Sequence, residues 1–133
     1  MPPRPTFNAV LACIRALNIR AATRPTRFAY ERCVADLEGG DAGFAFASEM
    51  AATSTALELL NSGDHVVALD DIYGGSRRLF EQARRRSAGL SFSCSDLRDR
   101  ASLERVLTPK TRMIWVETPS NPLLNLVDIA AIC

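Results

Sequence analysis

The sequence predicts an α/β domain in which a parallel sheet is covered by helices. Short strand-like runs alternate with helical patterns of about ten residues, which is the mark of successive βαβ units. A length of 133 residues suits one hydrophobic core. No internal repeat or low-complexity linker interrupts the alternation.

The elements follow in order. Met1–Pro5 carries three prolines and should be irregular. Val10, Leu11, Ile14 and Leu17 share a helical face within Phe7–Ile19, and the stretch Arg20–Pro25 reads as a joint because Pro25 turns Arg24 away from helical geometry. From Thr26 a helix with Tyr30, Val34 and Leu37 on one face runs to the stop signal Gly39-Gly40. Gly43–Ala47 reads as a short buried strand. Ser48 can cap a helix over Glu49–Asn61, with Ala52, Ala56, Leu59 and Leu60 on one face and Ser62-Gly63 at its end. His65–Leu69 is a valine-rich second strand. After the turn Asp70–Gly75 come a basic helix, Ser76–Ser87, and a third strand, Leu90–Cys94. Asp99 can cap a helix holding Leu103, Val106 and Leu107, and Arg112–Glu117 is a fourth strand.

Composition narrows the class. Hydrophobic residues at 47% and charged residues at 23% fit an ordinary globular protein and neither a disordered nor a membrane chain. The apolar stretch Phe7–Leu17 is broken by Arg15 and too short to span a bilayer. A net charge of +1, with no aromatics between Arg84, Arg85 and Arg86, argues against nucleic acid as a partner. Cys13, Cys33, Cys94 and Cys133 are irregularly spaced and form no metal-ligand pattern, so they read as reduced thiols of a cytoplasmic protein. Of the 16 basic residues only Lys110 is a lysine, which makes it the one side-chain amine open to aldehyde chemistry.

In open parallel sheets, ligands gather outside the carboxyl ends of the strands. That rule nominates Ser48-Glu49-Met50, Asp71–Gly75 and Thr118–Pro122. The first opens a helix, whose N–H groups suit a phosphate. The second sets the aromatic Tyr73 beside two glycines, and the third holds the amide of Asn121 between two prolines. Each has a structural reading as well. Ser48 caps a helix whether or not phosphate binds, Tyr73 can pack on its turn, Asn121 suits a turn, Glu117 can pair with an arginine, and His65 suits a strand start. A nucleotide site is disfavoured, because there is no G-x-G-x-x-G or Walker loop.

The blocks "YERCVADLEGG", "SEMAA", "GDHVVALDDIYGG" and "MIWVETPSNPLL" resemble, in order and at matching intervals, the cysteine and methionine metabolism family of pyridoxal-phosphate enzymes, the cystathionine gamma-synthases, beta-lyases and gamma-lyases. The similarity covers roughly residues 25–133, whereas residues 1–24 match poorly. It implies a truncated part of the parallel-sheet large domain of a fold type I, aspartate aminotransferase-like enzyme, with residues 25–133 as the N-terminal part of the cofactor domain. It also implies pyridoxal 5'-phosphate as cofactor. Ser48, Glu49 and Met50 would face its phosphate and Tyr73 would stack on the ring as the catalytic aromatic. Asn121 would bond the ring hydroxyl, with Glu117 nearby. Elimination or replacement at the β or γ carbon of a sulfur-containing amino acid is the implied chemistry, in a homo-oligomer and with no membrane partner. The resemblance places the cofactor-bearing lysine beyond Cys133, so the chain is expected to be inactive as it stands. The alternative is a non-catalytic remnant that binds a full-length homologue through the subunit interface. Two departures stand out. Glu49 replaces a usual glycine, and its carboxylate would repel an incoming phosphate. Ile19 and Ala21 replace a tyrosine and an arginine that in the family reach a neighbouring subunit.

Overall fold

A computed structural model describes residues 25–132. The helix expected over Phe7–Ile19, the departures at Ile19 and Ala21, Cys13 and Cys133 all lie outside the described residues. Two compact units divide them, 25–59 and 60–132.

In the first unit, α1 spans Pro25–Glu38. Proline suits a first helical position, where an N–H would lack a helical acceptor anyway. At the other end Gly39 takes a left-handed φ of 65°, and the Gly40 N–H closes on the Ala35 carbonyl at 2.9 Å. The predicted apolar face is not buried as a whole. Tyr30 and Val34 are half-buried, Leu37 is exposed, and Ala35 is the buried residue of the helix.

The strand expected at Gly43–Ala47 does not form. Side chains of α1 take its central peptide instead of a neighbouring strand. The Arg27 Nη2 donates to the Ala45 carbonyl at 2.9 Å, and the Ala45 N–H donates to Glu31 Oε1 at 2.8 Å. That N–H, then Arg27, holds the Glu31 carboxyl below its usual range.

The next helix, α2, covers Glu49–Leu57 and ends four residues before the predicted Asn61. Ser48 caps it as predicted, from an extended backbone, its Oγ accepting the Ala51 N–H at 3.1 Å. Ala52, Thr53 and Leu57 are its buried side, whereas Leu59 is exposed. Thr53 is tolerated there because its hydroxyl donates to the Glu49 carbonyl at 3.0 Å.

The second unit is built on three parallel strands, β1 (His65–Leu69), β2 (Ser91–Ser95) and β3 (Thr111–Trp115), in the order β2-β1-β3. β1 has the predicted bounds and is buried throughout. β2 lies one residue later than read, and β3 starts one residue earlier and ends two before Glu117. Between β1 and β2, α3 starts at Gly74, two residues before the predicted Ser76, and runs as Gly74–Arg78. It continues through a π-helical segment, Leu79–Arg84, and a last α turn, Arg85–Ser87. α4 (Arg100–Val106) follows β2, with Asp99 capping as predicted by accepting the Ala101 and Ser102 N–H groups at 3.1 and 3.0 Å. A short α5, Ile129–Ile132, closes the described chain.

Strand alternation puts Val66 and Ala68 on the same face as Phe92 and Cys94 of β2 and Met113 and Trp115 of β3. Phe80 seals that face. Its ring stacks on Phe92 at 5.0 Å and meets the edge of Trp115 at 5.5 Å.

On the opposite face His65 is buried and ties the three strands together through hydroxyls. Its Nδ1 lies 2.8 Å from Thr111 Oγ1 and its Nε2 2.9 Å from Ser93 Oγ. Hydroxyls can donate or accept, so a neutral ring is satisfied in either tautomer. Burial lowers the His65 pKa from its usual 6.5. The unfolded chain therefore binds the extra proton first. Stability is complete above the ordinary histidine range and falls as pH drops below 6.5 toward the folded value. The urea midpoint is expected to be lower at about pH 5.5 than at about pH 7.5, and His65→Gln should flatten that difference. An unchanged slope in the variant would assign the effect to other groups.

Candidate functional site

Parallel pairing brings the carboxyl ends of β1, β2 and β3 to one edge of the sheet, so the loops that leave them are neighbours. Two of the three nominated loops, around Tyr73 and Asn121, start there. Ser48, Glu49 and Met50 belong to the other unit, where they open α2.

Tyr73 stands at the N-cap of α3 and is 43% exposed as a residue, so a ligand can reach it. Its N–H donates to Glu117 Oε2 at 2.7 Å, and Trp115 Nε1 donates to Glu117 Oε1 at 3.2 Å. Both Glu117 oxygens thus serve the protein. The carboxylate locks the start of α3 to the end of β3, and Trp115 connects that lock to the Phe80 core. Gly74, next to Tyr73, has open space where a Cβ would stand.

Asn121 is exposed, and the Thr118–Pro119 and Asn121–Pro122 bonds around it are cis. Its segment folds back on itself. The Ser120 N–H donates to the Asn125 carbonyl at 3.0 Å, and the Leu124 N–H to the Ser120 carbonyl at 3.1 Å. Leu124 has a φ of 55°, a left-handed conformation that costs a non-glycine residue about 1–2 kcal/mol. Thr118 Oγ1 accepts the Val127 N–H at 3.0 Å and fixes the far side of the loop.

A polar network that sequence reading missed joins all three loops at this edge. Asp71 Oδ2, from the loop after β1, accepts the Ser120 hydroxyl and the Asn125 side-chain amide. Asn125 Oδ1 in turn accepts Arg98 Nη1 at 2.9 Å, from the loop after β2. Arg98 forks onto both oxygens of Asp96 at 2.9 and 2.8 Å and brings the Asp96 pKa down to about 2. No local pattern announces these partners, which lie up to 54 residues apart. The one available signal was that "DD" and "PSNP" stand in loops at one end of the sheet.

In the first unit, Ser48 is exposed and Glu49 and Met50 are half-buried. The N–H groups of the first turn of α2 point out of the helix end, as suits an anionic group, and Ser48 takes that of Ala51. Each unit by itself offers groups that suit part of pyridoxal 5'-phosphate. In the first, amides at a helix start suit a phosphate; in the second, an exposed tyrosine suits a flat ring and an exposed side-chain amide suits a ring hydroxyl. Lys110 does not belong to this set. It is exposed, and its carbonyl accepts the N–H of His65, the first residue of β1, which puts it at the opposite edge of the sheet.

Among the described residues, no helix is long and apolar enough to cross a membrane. The profile of the family described as Cys/Met metabolism PLP-dependent enzyme matches residues 18–133. Cystathionine beta-lyase of Coxiella burnetii is 67% identical over 108 residues, which are 81% of this chain and 28% of that protein. Cystathionine beta-lyase MetC of Bacillus subtilis is 47% identical over 108 residues, 81% of this chain and 27% of its own. The crystal structure of cystathionine gamma-lyase from Lactobacillus plantarum complexed with L-serine superposes with a TM-score of 0.78 at 48% identity, covering 82% of this chain and 28% of that one. The chain thus spans little more than a quarter of the length of the curated relatives it matches.

Proposed function

Because this chain belongs to the Cys/Met metabolism PLP-dependent enzyme family, we propose that it supplies one part of the cofactor site of a lyase or synthase acting on sulfur-containing amino acids. Residues 25–133 are read as the N-terminal part of the cofactor-binding domain, and the family match begins a few residues earlier, at residue 18. The observation that carries this reading is the fastening of the Tyr73 loop to the Asn121 loop through Glu117 and Asp71 at the carboxyl edge of the sheet.

Each residue has a distinct task. Met50 and Glu49 offer backbone N–H groups to the phosphate, and Ser48 holds the helix start that aims them. Tyr73 presents its ring face to the pyridine, Asn121 orients the ring through its hydroxyl, and Glu117 holds Tyr73 in place. When bound, the cofactor supplies an electron sink for a carbanion at the amino-acid α carbon, which permits elimination or replacement at the β or γ carbon. The assembly is a cytoplasmic homo-oligomer.

Lys110 stands at the wrong edge of the sheet to carry the cofactor. The isolated chain is therefore expected to bind pyridoxal 5'-phosphate reversibly and to show no lyase turnover. Asn121→Ala should weaken binding about tenfold, the worth of one hydrogen bond, and Tyr73→Ala by a similar factor. A fluorescence titration checks the affinities, and borohydride reduction followed by peptide mapping checks for attachment at Lys110. Robust turnover, or stoichiometric trapping on Lys110, would refute the reading.

A further inference from the structure

We propose that Asp71 is the positioning residue of this site, holding the segment 120–125 so that Asn121 stands beside the Tyr73 loop. The inference rests on the reading of Tyr73 and Asn121 given above. One oxygen, Asp71 Oδ2, receives three donors from that segment. They are the Ser120 hydroxyl, the Leu123 N–H at 3.3 Å and the Asn125 Nδ2 at 3.3 Å. Ser120, 1% exposed, relays the tie by accepting the Asn125 N–H at 2.9 Å. The segment needs such a clamp, because Leu124 sits in a left-handed conformation that persists only where its surroundings over-determine it. Asn121 is exposed, so its place is set by the backbone that carries it.

The ties between the loops run both ways. Two residues after Asp71, the Tyr73 N–H is held by Glu117 from the loop after β3, while Asp71 holds that same loop in return. A carboxylate on each side therefore fixes the residue that the other loop presents. Asp71 acts through Asn121 and is assigned no contact with the cofactor.

Hydrogen exchange and cofactor titration of the full chain test this together. Asp71→Ala should speed exchange at the amides of Leu123, Leu124 and Asn125 about tenfold and leave those of Val66–Leu69 unchanged. Asp71→Asn, with a carbonyl oxygen in the place of Oδ2, should restore protection. Asp71→Ala should also weaken pyridoxal 5'-phosphate binding in the parent chain but add nothing once Asn121 is alanine, since the two act as one unit. Unchanged exchange in Asp71→Ala, or an equal loss of affinity with and without the Asn121 side chain, would overturn the proposal. Failure of the parent chain to bind the cofactor would overturn the reading of the site, and the exchange result would then judge the clamp by itself.

Discussion

Phe80→Ala is expected to destabilise the sheet-bearing unit by about 3–5 kcal/mol, a large share of the about 5–15 kcal/mol that holds a domain of ordinary stability. Phe80 is 2% exposed, and from the π-helical segment that continues α3 its ring packs against Phe92 and Trp115. Alanine would forfeit the transfer energy of the ring, leave a cavity that a parallel sheet cannot collapse to fill, and lose both ring contacts. The loss should reach the site, because Trp115 packs on Phe80 and also donates to Glu117, which holds Tyr73. Urea unfolding followed through Trp115, the sole tryptophan, measures it. Phe80→Leu should recover more than half of the loss, and a cost below about 1 kcal/mol for alanine would show that α3 is held by something else.

The second large effect is expected at Gly43. A Cβ there would run into the Glu31 carbonyl oxygen and lie 3.0 Å from its carbon and 3.2 Å from its Cα. These atoms are helix backbone, which cannot swing aside as a flexible side chain could. Gly43→Ala must therefore push residues 43–45 away from α1, at an overpacking cost of about 1–3 kcal/mol. Separation also breaks the bonds of Ala45 with Glu31 and Arg27, about 1 kcal/mol each, for a total near 3–5 kcal/mol. Limited proteolysis of the segment 42–47 should accelerate accordingly. A variant as resistant as the parent would mean that the segment can shift at little cost.

Local chemistry made part of the fold legible. β1 shows plainly because a valine run lies between turn residues. Ser48 and Asp99 announce their helices because capping is decided within three residues. The segment Gly43–Ala47 misled for the opposite reason. Its alternation suits a strand, but Arg27 and Glu31 claim the peptide of Ala45 from 18 and 14 residues away, and hydropathy carries no trace of that. The end of α2 was read too late because its last predicted turn is spent on reversing the chain. Asn61 donates its N–H to Asp64 Oδ2 at 2.8 Å, and Gly63 takes a φ of 91°. At the site, Tyr73 and Asn121 could be nominated because loops at strand ends follow a rule. The bonds that join Asp71, Ser120, Asn125 and Arg98 could not be read, since they exist only once both crossovers of the sheet have closed.

Backbone amide shifts of the full chain during a titration with pyridoxal 5'-phosphate test the central claim most directly. If the loops of Met50, Tyr73 and Asn121 share one cofactor, the shifts should concentrate on the first turn of α2, on Tyr73–Gly75 and on Asn121. They should be absent around Lys110 and His65. Shifts that centre on the Lys110 edge, or that scatter over the surface without reaching Tyr73 and Asn121, would contradict it.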